Sequence, residues 1–334
     1  MATGTPRATD AVIVGAGLMG RWHAHEIVRA GGRVVAVVDP DLERARQLAG
    51  RSGVAVAAEL TELDGLVDRD GGAVGARAVV HVCTPSGTHE PLIEHALRSG
   101  RHVLVEKPMA GDATITERLL APVHQFPFQP GVRRLLDPGQ RGLNRLGETL
   151  HLMGEARSAG AEGRSDEDRE RIALEILPHF LSLTRLFVHG GLDGIEWTVS
   201  RPRAGELSVA GEAEGVAIHL LISMSGRPPA NLWTVIGSRA TGRADLFHGH
   251  AVIEPGGTSR AWKVARPFAV AGVGLAGAAG NLLGRAARRQ PAYPGLRELI
   301  AAFHAAAAMD GENPIPPEET MEVARAMERI SAQR

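Results

Sequence analysis

The chain has 334 residues, 44% of them hydrophobic and 22% charged, with a formal net charge of −1. That length is generous for a single core and fits two domains, while the charge balance supplies no field to draw in nucleic acid. The one cysteine, Cys83, excludes an intrachain disulfide and a cysteine-based zinc site.

No long apolar signal core precedes the first strand, so a cytoplasmic location is the expectation. DAVIVGAG is an apolar run ended by glycines, and MGRWHAHEIVRAG has helical spacing up to Gly31 and Gly32. RVVAVVDP reads as a buried strand, DLERARQLAGRSG as a helix with a glycine stop, and Asp64 to Gly75 as a surface loop. ARAVVHVCTPS is a strand, HEPLIEHALRSG a helix and RHVLVEKP a strand. This alternation predicts a doubly wound parallel sheet, the Rossmann arrangement, over residues 1–122.

After Ala121 the pattern changes. HQFPFQPG, punctuated by prolines, reads as a crossing between domains. ETLHLMGEA, GIEWTVS, ELSVAGEA, GVAIHLLISM, NLWTVIG and ADLFHGHAVIE predict a mainly antiparallel sheet in a second domain, residues 123–334. SDEDRERIALEILPHFLSLTRLF is helical, with Ser165 as N-cap and Pro178 set to break it just before His179. Phe268–Gly284 is almost free of charge, rich in glycine and shorter than a spanning helix of about 20 residues. A buried or loop-and-helix element is expected there, with a membrane-surface contact as the alternative and no stable membrane insertion. YPGLRELIAAFHAAAAM and PPEETMEVARAMERISAQR give two closing helices.

VIVGAGLMG places Gly15, Gly17 and Gly20 in G-x-G-x-x-G spacing, after a strand and at a helix start. In that setting the first glycine permits the turn, the second lets backbone approach a pyrophosphate, and the third seats the helix on the strand. The loop with Leu18 and Met19 is therefore a candidate phosphate cradle. Asp39 ends the second strand and can accept both ribose hydroxyls of NAD, which favours NAD; nearby Arg44 leaves NADP open.

Lys107 is one of only two lysines in the chain. It follows an apolar strand, so it belongs at the carboxyl edge of the parallel sheet, where ligands bind. A lysine there can exchange a proton, which arginine cannot. Together VGAGLMGRWHA, VVDPD and VCTPSGTHEPLIEHALRSGRHVLVEKPMA resemble the Gfo/Idh/MocA oxidoreductases, the glucose–fructose oxidoreductase and inositol dehydrogenase group. The resemblance implies a Rossmann domain, a C-terminal α/β domain with an open, mainly antiparallel sheet that binds substrate, and homodimers or homotetramers built on that sheet. It also implies that Glu106 and Lys107 of the EKP motif lie by the nicotinamide, with Thr84, Pro85 and His89 on the cofactor side.

Glu175 and His179, four apart on one helix, match the family's Asp and His near the substrate hydroxyl, with Glu in place of Asp. Ser182 stands where a second acid often follows. HQFPFQP matches a segment in which arginine is common where Pro127 stands, so His124 and Gln125 are the substrate candidates.

Other dehydrogenase designs fail by counting. The single tyrosine, Tyr293, has no lysine after it, and no G-x-S-x-G elbow occurs. His23 and His25 read as helix-face residues, and no metal set is expected. The expected activity is NAD-dependent interconversion of a secondary alcohol and a ketone on a sugar, cyclitol or nucleotide sugar, in a specialised biosynthetic pathway. Lys107, His179 and Glu175 are the catalytic set. The alternatives are an NADPH-dependent ketone or imine reductase, a redox-neutral NAD-assisted enzyme, and a non-catalytic NAD-binding regulator.

Overall fold

The computed structural model describes residues 9–50, 53–65, 78–109, 118–137, 146–287, 290 and 292–333. Two compact units emerge: residues 1–123 with 296–324, and residues 124–295 with 325–334.

In the first unit, β1 (Asp10–Val14), β2 (Arg33–Val38), β3 (Ala55–Ala57), β4 (Val79–Val82), β5 (His102–Val105) and β6 (Leu120–Pro122) form a sheet in the order β3-β2-β1-β4-β5-β6. Every pair is parallel. Such strands are covered on both faces, which is why β1, β4 and β5 are near-continuous runs of apolar residues with β-branched valines dominant. Val12, Val14, Val80, Val82, Val103 and Val105 form one side of the core.

The helices are α1 (Leu18–Arg29), α2 (Leu42–Ala49) and α3 (His89–Arg98). Asp41 caps α2 by accepting the Arg44 N–H at 3.1 Å, and Gly50 ends it at φ +52°. Caps of this kind are worth about 1 kcal/mol each.

In the second unit lie α4 (Pro130–Leu136), β7 (Thr149–Arg157), α5 (Asp166–Arg185), β8 (Thr198–Ser200), β9 (Glu206–Ala213), β10 (Val216–Ser223), β11 (Ala230–Gly237), β12 (Ala240–Asp245), β13 (His250–Pro255) and α6 (Arg260–Ala287). The sheet order is β13-β12-β11-β7-β10-β9-β8. Only β7 and β10 pair in parallel, so the sheet is mainly antiparallel. α5 lies on one face, with fully buried Phe180 stacked on Trp233 at 6.2 Å between ring centroids. Gly154 makes the room: a Cβ there would come within 2.7 Å of the Phe180 ring.

α7 (Leu296–Met309) belongs to the first unit and packs on α1. α8 (Pro317–Ser331) closes the chain.

Three expectations change. Pro178 does not end its helix: α5 runs through it to Arg185. HQFPFQPG is not a bare crossing, because Phe126–Phe128 form a 3-10 turn leading into α4. Phe268–Gly284 lies within α6, a 28-residue helix with no buried residue. Its inner side meets β13 through small residues and polar ties: Gly277 near Val252, Asn281 Nδ2 donating to the His248 carbonyl, and Arg266 paired with Glu254. The large side chains Val264, Phe268, Leu275, Leu282 and Leu283 are left exposed. By length and composition alone this helix could cross a membrane. Its apolar content was read as burial, whereas the helix meets the strand at Gly277 and through the two polar ties and leaves its bulky residues exposed. Of the expected loop from Asp64 to Gly75, Asp64 and Gly65 finish a 3-10 turn and the rest lies outside the described residues.

Candidate active site

The glycine loop of the first unit leaves β1 at Gly15, φ +97°, a conformation L side chains rarely adopt. A Cβ on Gly15 would also meet the Cys83 carbonyl at 2.8 Å, and one on Gly20 would meet the Gly15 carbonyl at 1.9 Å. These two glycines close the turn and seat α1 against it. Gly17 differs: nothing lies within 4 Å of its Cβ position. Its open side faces the first turn of α1, which has no side-chain cap and no acid, so the N–H groups there remain available to an anion. Leu18 is 60% exposed at this helix start and Met19 half-buried. The loop thus fits a dinucleotide phosphate.

Asp39 is buried, and its carboxylate accepts N–H groups from Ala16 at 2.8 Å and Asp41 at 2.9 Å. A carboxylate has about four acceptor positions, so two backbone bonds fix its orientation and leave capacity for ribose hydroxyls. Arg44 approaches it at 3.9 Å.

The carboxyl ends of β4 and β5 lie beside this loop. The Cys83 N–H donates to the Val14 carbonyl and the Glu106 N–H to the Val82 carbonyl, which carries strand pairing to the EKP motif. Lys107 follows, half-buried, joined to Pro108 by a cis peptide bond. Burial first, and Glu106 second, push the Cys83 thiol well above its usual range, so it is no thiolate nucleophile. Thr84 borders the loop, its Cγ2 3.0 Å from the place a Gly15 Cβ would take, and Pro85 follows it in sequence. His89 is buried between two carbonyls, with Nε2 2.8 Å from Thr84 O and Nδ1 3.2 Å from Pro108 O. A neutral ring can donate to only one of them. This histidine ties the TPS turn to the EKP turn.

Glu106 is also buried, and its Oε1 lies 3.2 Å from His23 Nε2. His23 is on the face of α1 turned toward β4: it is fully buried, and its Nδ1 meets His81 Nδ1 at 2.8 Å. Sequence reading missed this contact because the two histidines are 58 residues apart and neither carries a motif.

In the second unit His179 sits on α5, 8% exposed. The Phe126 ring stacks on it at 4.6 Å and 28°, and His124 meets it edge-on at 6.5 Å. The Ser182 hydroxyl donates to the His179 carbonyl at 2.9 Å, a local helix bond rather than an acid's role. Gln125 is buried in the same turn. Glu175 shares the helix but accepts from Arg171 Nη1 at 2.8 Å. The structure thus gathers His124, Phe126 and His179; Phe126 was overlooked because an aromatic in a proline-rich turn reads as packing. Among the described residues no three His, Cys, Asp or Glu side chains converge as a metal site.

Residues 9–125 match the model of an oxidoreductase family with an NAD-binding Rossmann fold. An inositol 2-dehydrogenase 4 from Saccharopolyspora erythraea is 40% identical over 158 residues, 46% of this chain and 41% of that relative. The match therefore spans well under two thirds of the relative's length. Among solved structures, GenD2 from gentamicin A biosynthesis, in complex with NAD, superposes with a TM-score of 0.68 at 22% identity, covering 99% of this chain and 95% of that one. KijD10, a 3-ketoreductase from Actinomadura kijaniata in complex with TDP-benzene and NADP, gives 0.66 at 20% identity, covering 98% and 96%. At such identity these two establish the shared fold. With the glycine loop, Asp39 and the EKP motif in place, residues 9–125 match the NAD-binding Rossmann domain of the Gfo/Idh/MocA oxidoreductase family.

Proposed function

We propose that the protein interconverts a secondary alcohol and a ketone on a cyclitol or sugar, using NAD. The observation that carries this reading is within the first unit: Lys107 stands at the carboxyl end of β5, in the same parallel sheet whose β1 ends in the open Gly17 cradle. NAD, held by Gly15, Gly17, Gly20 and Asp39, supplies the hydride acceptor. Lys107 polarises the substrate oxygen. His179 takes the hydroxyl proton, its ring held flat by Phe126. Glu175, with its charge shared by Arg171, tunes the helix face around His179. The inositol dehydrogenase relative supports a cyclitol; GenD2 and KijD10 support a sugar or nucleotide sugar in a biosynthetic pathway.

The same reading assigns a cytoplasmic location and a homo-oligomer through the outer face of the second sheet. Met153 and Leu221, each 44% exposed, point away from α5 there. Leu221→Glu should then lower the mass seen by light scattering; an unchanged mass would remove that face from the assembly.

The activity is tested by a panel of inositols, sugars and nucleotide sugars with NAD, read as NADH absorbance. Net NADH from one substrate class supports the assignment; product without NADH would make it redox-neutral. One observation favours a second reading, ketone reduction with NADPH: Arg44 beside Asp39 can partly offset repulsion of a 2′-phosphate.

A further inference from the structure

Fourteen large apolar side chains are exposed among the described residues, and six of them lie on α6: Val264, Phe268, Val273, Leu275, Leu282 and Leu283, 52% to 81% exposed. Single exposed apolar residues are ordinary, whereas a contiguous patch marks a surface that is covered by something. Four of the six are in register. At 3.6 residues per turn Val264, Phe268, Leu275 and Leu282 fall within about 40° of one another around the helix axis and cover about 27 Å of its length. Exposed Ala271 and Ala279 continue the same stripe.

The other side of α6 is held on β13, the edge strand of its sheet. Gly277 lies there, its Cβ position 3.6 Å from Val252 Cγ2. Arg266 Nη2 donates to Glu254 Oε2 and Asn281 Nδ2 to the His248 carbonyl, both at 2.9 Å. Arg266, Gly277 and Asn281 are each about 120° or more around the axis from Leu275. The two polar ties, about 22 Å apart along the helix, keep it lying flat on the strand. Crossing a bilayer would break both.

Charge identifies what the stripe fits. Residues 255–290 contain no Asp or Glu, while Arg260, Lys263, Arg266, Arg285, Arg288 and Arg289 are basic. Arg266 is offset by Glu254, but Arg260 and Lys263 are exposed in the first turn of α6. Phe and Leu side chains between two basic ends match an anionic lipid surface, where apolar groups enter the acyl boundary and cations stay with the phosphates. A second copy of the chain fits less well. Two such helices face to face bring basic ends to basic ends in either orientation, with no acid in the segment to offset them.

We propose that α6 is a membrane-surface anchor. Val264, Phe268, Leu275 and Leu282 rest in the boundary between headgroups and acyl chains of an anionic phospholipid bilayer, while the inner side of the helix stays on β13. The protein is then peripheral to the membrane and does not span it. This assignment is independent of the oxidoreductase reading.

Cosedimentation of the full chain with lipid vesicles tests it. Vesicles of phosphatidylcholine with about 30% phosphatidylglycerol should bind the chain at least about tenfold more tightly than phosphatidylcholine alone, since each basic residue near the surface contributes on the order of a fivefold gain. Leu275→Glu, at a side chain 74% exposed, should keep the parent's Tm and weaken binding at least about tenfold. Leu282→Glu should do the same. Arg260→Gln with Lys263→Gln should weaken binding to the phosphatidylglycerol vesicles at least about fivefold and leave any binding to phosphatidylcholine unchanged. Absence of binding, equal binding to both compositions, or a Leu275→Glu variant that binds as the parent does overturns the proposal. A chain that stays with the vesicles through an alkaline carbonate wash spans them, which also overturns it. So does a lower mass by light scattering for Leu275→Glu in the absence of lipid, because a second copy would then be what covers the stripe.

Discussion

The Phe126 ring lies flat on His179, 4.6 Å between centroids, although the two come from a 3-10 turn and a helix more than fifty positions apart. The stack fixes the plane of the imidazole and shields one of its faces. Stacking of this kind is worth about 0.5–1.5 kcal/mol. Phe126→Leu should therefore lower kcat/KM by roughly three- to tenfold with NAD affinity unchanged, measured by steady-state kinetics and NAD titration. A kcat/KM equal to the parent's would deny the stack a role.

Gly17 and Gly20 should separate cofactor binding from folding. A Cβ at 20 collides with the Gly15 carbonyl, so Gly20→Ala should cost about 1–3 kcal/mol and lower Tm by several degrees. A Cβ at 17 meets no protein atom, so Gly17→Ala should leave Tm within about a degree and weaken NAD binding at least about tenfold. Equal thermal losses in both variants would mean that the open side of Gly17 is not where the cofactor goes.

Asp39 has a structural task and a selective one. Its carboxylate holds the Ala16 and Asp41 N–H groups, so Asp39→Asn should keep one of its oxygens in place while removing the charge. The ratio of kcat/KM for NAD over NADP should fall at least about tenfold. An unchanged ratio would remove Asp39 as the source of selectivity.

The buried histidines make stability fall in acid. The folded pKa of His304, about 4, and that of His81, well below the usual range, lie under the unfolded value of about 6.5. Above that value both states are neutral and nothing is lost. As pH drops from about 6.5 toward 4, only the unfolded chain takes up these protons, and each histidine costs up to ~1.4 kcal/mol per pH unit. Glu26, whose pKa burial raises, works in the opposite direction. Urea unfolding between pH 7 and 4.5 should show the decline, and His304→Phe should flatten it; a parent curve flat over that range would contradict the buried neutral rings.

Much of the first unit was legible because its signals are local. Gly15, Gly17, Gly20, Asp39 and Lys107 declare themselves by spacing along a βαβ rhythm, and each stands where that rhythm puts it. The buried histidines were not legible: His23, His81 and His304 meet only after α1, β4 and α7 pack. α6 misled in the other direction, since hydropathy cannot say which side of a glycine-rich helix faces the protein. Pro178 misled because a proline late in a long amphipathic helix is outweighed by the burial of Leu177, Phe180 and Leu181 around it.

The claim at the centre of this account, that Lys107 and His179 act on one substrate oxygen, is tested most directly by a double-mutant cycle in kcat. Lys107→Met, His179→Asn and the double variant would be compared on the substrate the panel identifies, with NAD binding checked for each. Groups serving a single proton transfer are strongly non-additive, so the double variant should be no more than about threefold slower than the slower single variant. Losses that multiply in full would show two residues working independently and would contradict the account.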